Sequence, residues 1–254
     1  MARIIGVINA KGGVGKTTTA NNLGAYLSSL GKYVLVVDSD PQANATTGLG
    51  IYLQDDHLNL YHTLVGDYEP DAIIRKTQLL GFDVLPAAPS LAGANVELVN
   101  VENREYWLKN VLDKIRTNYD YIIIDSMPSL GMLPINSLVA SDGVIIPVQC
   151  EYYALEGLSQ LLNTIDLVRT SLNPKLDVYG VLLTMYDKRN ALAQQVVDEV
   201  RNNFPGRVFQ AVIPRSTTLA SAPSHGKTIY QFDPDSKGAQ AYRALAEEVI
   251  QLTS

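Results

Sequence analysis

An α/β fold, with a mostly parallel twisted sheet and helices on both faces, is what this sequence predicts. Three observations predict it. Short β-rich apolar runs alternate with longer segments of helical periodicity. Several runs are apolar at nearly every position, as strands buried on both faces are. The first run leads through a glycine-rich loop straight into a helical pattern. No repeat, low-complexity tract or interdomain linker interrupts the 254 residues, so one domain over 1–254 is expected.

The elements follow in order. Residues 4–8 form the first strand, and 17–30 the first helix, with Leu23, Tyr26, Leu27 and Leu30 at helical spacing and Gly31 as its stop. Strands are expected at 34–37 and 84–85. A helix is expected over 105–117, where Leu108, Val111, Leu112 and Ile115 share a face. Strands at 121–124 and 144–148 come next. The helix 154–171 carries Leu158, Leu161, Leu162, Ile165 and Val168, and strands follow at 178–183 and 208–213. The segment 237–254 has Tyr242, Leu245, Val249 and Ile250 on one stripe. Its Lys237 and Arg243 are set against Glu247 and Glu248, so it reads as a core-packing helix.

Composition narrows the function classes. Hydrophobic residues at 46% and charged residues at 18% describe a globular chain rather than a disordered one. The one cysteine, Cys150, excludes an internal disulfide and any metal site built from several cysteines of one chain. His57, His62 and His225 lack metal-ligand spacing. No stretch of about 18 apolar residues exists, and no secretory signal is expected from the short apolar run at 4–8, so a cytoplasmic place is expected. With a net charge of -6, any contact with nucleic acid needs a local basic patch.

The chemistry sits where a parallel sheet puts it, at the carboxyl ends of strands. After the first strand comes Lys11-Gly12-Gly13-Val14-Gly15-Lys16-Thr17-Thr18. Glycines let successive backbone N–H groups converge on one anion, and the helix start adds its positive dipole end. Lys16 offers a full charge to the β- and γ-phosphates of a nucleotide, and Thr17 offers a hydroxyl to Mg²⁺. A strict Walker A motif wants glycine at position 10. This chain has Ala10, so it matches a variant with a second lysine, Lys11. The second strand ends in Asp38-Ser39-Asp40-Pro41-Gln42, and 121–124 ends in Asp125-Ser126-Met127-Pro128, in which Asp125 reads as a Walker B aspartate.

The variant loop, the Asp38-to-Gln42 segment and the apolar strand before Asp125 resemble the ParA/MinD family of P-loop ATPases, within it the Soj-type partition ATPases. The stretches 145–158, 180–185 and 222–227 extend the resemblance over nearly the whole chain. It implies a single-domain P-loop NTPase that forms an ATP-dependent homodimer. Lys16 would hold its own nucleotide, and Lys11 would reach the nucleotide of the partner subunit. Asp40 would activate the attacking water. Asp38 and Asp125 would act near Mg²⁺ through water, and Pro214 and Arg215 would border the adenine. It further implies non-specific binding of double-stranded DNA by the ATP dimer, with Lys188, Arg189, Arg215 and Lys227 as the candidate patch. A ParB-type partner would stimulate hydrolysis, and the chain would be nucleoid-associated.

Four residues depart from the family pattern. Thr218 stands where a second DNA-contacting arginine is common, Met127 where a proline is usual, Ser126 where cysteine is frequent and Ala43 where glycine is common. Two other readings compete with this one. A MinD-like membrane-cycling ATPase needs a basic amphipathic C-terminal helix, which 237–254 does not resemble. An iron–sulfur reductase relative needs two ligating cysteines, and one exists.

Overall fold

A computed structural model describes residues 1–54, 57–66, 68–151 and 156–253. Its strands are β1 (Arg3–Val7), β2 (Val34–Ser39), β3 (Arg75–Lys76), β4 (Phe82–Leu85), β5 (Tyr121–Ser126), β6 (Gly143–Gln149), β7 (Asp177–Tyr186) and β8 (Val208–Pro214). They form one eight-stranded sheet in the order β3-β4-β2-β5-β1-β6-β7-β8. The β3–β4 pair is antiparallel and the other pairs are parallel. All seven expected strands are present. The two-residue edge strand β3, Arg75 and Lys76, is additional, because it is too short and too polar to show a period.

Alternate residues of the central strands feed opposite faces. Ile5, Val7, Val34, Val36 and Ile123 join one core with the helices Lys16–Ser29 and Lys237–Thr253. Ile4, Leu35, Val37, Ile122 and Ile124 point to the other face. There they meet Leu60 and Leu64, Leu91, and Leu108, Val111, Leu112 and Ile115 of the helix Trp107–Ile115. Further along that face, Val144, Ile146, Val181 and Leu183 pack under the helices Glu156–Ser171 and Ala191–Asn203. The expected start of the former helix, at 154, lies outside the described residues. The helix expected over 105–117 is shorter, because residues Arg104–Tyr106 form a 3-10 turn first.

The glycine-loop helix lies unusually close to the sheet. A Cβ at Gly24 would come within 2.6 Å of the Phe82 ring, so glycine lets the helix settle onto β2 and β4. In the last helix, Ala239, Tyr242, Leu245, Ala246 and Val249 are buried, and it packs on β8 and on the glycine-loop helix. The expected apolar stripe is therefore used by the core. No helix among the described residues is long and apolar enough to cross a membrane.

Candidate functional site

The carboxyl ends of β1, β2, β5, β7 and β8 meet around the glycine loop. Gly13 (φ +75°) and Gly15 (φ +91°) take the left-handed backbone that non-glycine residues avoid, and Gly15 opens the helix Lys16–Ser29. Two side chains hold the loop from outside. Asn9 accepts from the Lys11 backbone N–H at 2.9 Å and donates to the Pro147 carbonyl at 2.7 Å. The buried Thr184 hydroxyl donates to the Val14 carbonyl at 2.8 Å. Both ties link residues more than 130 apart in sequence, which is why sequence reasoning misses Asn9 and Thr184.

The two lysines differ in environment. Lys16 is 7% exposed, and its ammonium donates to the Lys11 carbonyl at 3.0 Å. Burial lowers its pKa, against the attraction of Asp125 and Asp40. Lys11 is exposed, and its ammonium has no hydrogen-bond or ion-pair partner among the described residues.

The carboxylates differ as well. Asp38 and Asp125 are register partners on β2 and β5, both fully buried. Asp38 is fully engaged: Oδ2 accepts from the Thr46 N–H at 2.8 Å and the Thr46 hydroxyl at 2.6 Å, and Oδ1 from the Asp40 N–H at 3.2 Å. Burial pushes its pKa up to about 6 against those hydrogen bonds. Neither oxygen of Asp125 has a hydrogen-bond partner among the described residues. Burial and then Asp38 drive its carboxyl well above the usual carboxylate range. Thr17, lying outside hydrogen-bonding geometry, and Lys16 pull the other way. Asp40 is 8% exposed, and its Oδ1 accepts from the Gln42 N–H at 2.9 Å.

A cleft of about 310 Å³ runs along Gly13, Gly15, Lys16, Thr17, Thr18, Asp40 and Pro128. A second, mostly apolar cavity of about 190 Å³ shares Gly15, Thr18 and Met185 with it and adds Pro214, Arg215 and Leu219. A polar cleft leading into an apolar slot suits phosphates joined to a flat base. No group of three or more His, Cys, Asp or Glu gathers among the described residues to hold a metal by itself. The orphaned Asp125 oxygens near Thr17 nevertheless fit Mg²⁺, which takes few protein ligands and completes its shell with water and phosphate oxygens.

The family model for an AAA domain matches residues 2–178. The sporulation initiation inhibitor protein Soj of Bacillus subtilis is 56% identical over 249 residues, spanning 98% of each chain. The chromosome partitioning protein ParA of Myxococcus xanthus is 51% identical over 98% of this chain and 88% of its own. The chain belongs to the Soj/ParA family of chromosome-partitioning ATPases. Among solved structures, cobyrinic acid a,c-diamide synthase from Mycobacterium smegmatis with bound ATP analog and magnesium superposes with a TM-score of 0.88. It is 38% identical, covering 99% of this chain and 95% of that one.

Of the four candidate DNA residues of this family member, three lie together. The β7 and β8 ends pair at Tyr186 and Pro214, which brings Lys188 and Arg189 near Arg215. Arg189 makes a two-pronged contact with Asp187, at 3.0 and 2.7 Å, and Arg215 reaches Glu151 at 3.5 Å. The Arg189 guanidinium holds the half-buried Asp187 carboxyl well below its ordinary range. Lys227 lines a different cavity, with Thr17, Asn21, Asn44 and Thr47. Thr218 shares a hydrogen bond with Ser216, which caps the helix Thr217–Ser221. Met127 packs on the apolar cluster under β5, Ser126 is buried, and Ala43 adopts φ +54°.

Proposed function

We propose that this partition ATPase binds Mg²⁺-ATP at residues 11–18, closes into a homodimer around the nucleotide, binds double-stranded DNA without sequence preference in that state, and lets go when ATP is hydrolysed. The observation that carries the reading is the contrast between the lysines. Lys16 is buried against its own loop, whereas Lys11 presents an exposed ammonium, without a partner among the described residues, at the rim of the same loop. A full charge so placed gains a strong counter-charge when a second subunit brings a polyphosphate to it.

The roles divide by geometry. Converging N–H groups of Gly12 to Thr18 and the Lys16 ammonium hold the phosphates. Pro214 and Arg215 border the base. Thr17 and Asp125 would hold Mg²⁺, which would supply charge neutralisation between the phosphates, whereas Asp38, expected near the metal as well, has its oxygens taken by Thr46 and the Asp40 backbone. Asp40, at the wall of the phosphate cleft, orients and deprotonates the attacking water. Loss of the γ-phosphate removes the Lys11 contact and separates the dimer. Lys188, Arg189 and Arg215 supply the DNA patch, Lys227 adds a contact beyond it, and a ParB-type protein accelerates turnover. The expected place is the nucleoid in the cytoplasm.

Size-exclusion chromatography of the wild type and Asp40→Ala, with ATP or ADP and with or without duplex DNA, tests this reading. The Asp40→Ala chain should run as a dimer with ATP, co-elute with DNA, and do neither with ADP. Co-elution with DNA regardless of nucleotide would overturn the proposal.

A further inference from the structure

Asp38 has no oxygen to spare, and the residue that occupies it is Thr46. The Thr46 backbone N–H and hydroxyl both donate to Asp38 Oδ2, at 2.8 and 2.6 Å. The same hydroxyl oxygen accepts from the Ala87 N–H at 3.1 Å. Thr46 is 1% exposed, so these bonds are made out of water, where each is harder to replace. One side chain thus ties the end of β2 to the segment after β4.

The tie closes a loop of nine residues, from Asp38 to Thr46, and Asp40 rides on it. From Asp38 the chain passes Asp40, whose carbonyl accepts from the Ala43 N–H at 2.9 Å and whose Oδ1 accepts from Gln42. It then turns through Ala43 at φ +54° into the short helix Asn44–Gly48, which Thr46 anchors back to Asp38. Asp40 itself has no side-chain hydrogen bond beyond its own turn among the described residues. Its position in the phosphate cleft is therefore set by the closure of this loop.

We propose that Thr46 is a positioning residue for ATP hydrolysis, fixing Asp40 by closing the loop through Asp38. The proposal rests on the reading of Asp40 as the group that activates water. Thr46 lies outside the set of residues lining the phosphate cleft, so its effect falls on turnover and spares nucleotide affinity. Thr46→Val keeps the shape but removes both hydroxyl bonds, whereas Thr46→Ser keeps them.

The test measures kcat and KM for ATP, together with the Kd of a fluorescent ATP analogue, in wild type, Thr46→Val, Thr46→Ser and Asp40→Ala. Thr46→Val should lose at least about tenfold in kcat, since a small misplacement of a catalytic group costs rates of that order. Its Kd should stay within about threefold, and Thr46→Ser should keep at least about half the wild-type rate. A Thr46→Val rate equal to wild type, a parallel loss of kcat and affinity, or a Thr46→Ser as slow as Thr46→Val would overturn the proposal. Should Thr46→Val not fold, Thr46→Cys, with a far weaker donor, is read on the same scale. Asp40→Ala separates the two levels. Wild-type turnover in Asp40→Ala sinks the underlying reading, whereas an inactive Asp40→Ala beside an unimpaired Thr46→Val sinks only this proposal.

Discussion

Asp38 and Asp125 are register partners at the ends of adjacent parallel strands, equally buried, yet Thr46 and the Asp40 backbone satisfy one while the other has no hydrogen-bond partner among the described residues. A buried carboxylate without a hydrogen bond destabilises the chain, and the Lys16 ammonium offsets only part of that cost. Asp125→Asn should therefore stabilise the nucleotide-free protein at pH 8, by roughly 1–3 kcal/mol, the cost of leaving a buried polar group unsatisfied. The same variant should hydrolyse ATP far more slowly, if Asp125 supports Mg²⁺. Thermal unfolding and phosphate release check the two halves, and a less stable Asp125→Asn would contradict the first.

The same pair sets a pH dependence. Both carboxyls are raised above their usual range in the folded state, Asp38 to about 6 from 3.8. The folded chain then holds more protons than the unfolded chain between those values, so stability falls with rising pH there. The Asp38 contribution is complete below about 3.8 and is lost as pH rises through about 6. Asp125 adds a loss of the same sign. Denaturant titrations of the nucleotide-free protein should show stability falling from about pH 4 to about pH 7, with a shallower fall in Asp125→Asn.

Arg189 is held by Asp187 just beyond the end of β7, so DNA must compete with that carboxylate. Asp187→Asn should tighten binding of a random-sequence duplex in ATP by about threefold or more at low salt, and Arg189→Glu should abolish retention. Fluorescence anisotropy reads both. Equal affinity in all three proteins would remove this patch from the DNA-binding surface.

Ala43 sits at φ +54°, where a side chain costs roughly 1–2 kcal/mol. It also buries its methyl group in the cluster under β2. Ala43→Gly relieves the first and loses the second, so its stability should stay within about 1 kcal/mol of wild type. Ala43→Val, β-branched in the same backbone, should lose more than about 1 kcal/mol. Unfolding curves that place Val above Gly would contradict the strained turn.

The sheet is legible in the sequence because its strands are buried on both faces, so their apolar runs stand out without any partner in view. Lys11, Lys16, Asp40 and Asp125 are legible because a strand-end rule and a loop motif locate them. What fixes them in place is not. Asn9, Thr46 and Thr184 are ordinary polar residues that bond to Pro147, Ala87 and Val14, far away along the chain, and nothing local marks them. The helix Met132–Ala140 is equally hard to read. It is buried over most of its length and carries Pro134 in its first turn, so it shows neither amphipathic period nor clean start. The opposite environments of Asp38 and Asp125 depend on the Thr46 contact, which a sequence does not display.

The central claim is that Lys11 joins two subunits through the nucleotide. It is tested most directly by light-scattering mass measurement of Asp40→Ala and of the double variant Lys11→Ala/Asp40→Ala in saturating ATP. Twice the chain mass is expected for the first and a single chain mass for the second, with ATP still bound to both. A double variant that remains dimeric with ATP would contradict the claim.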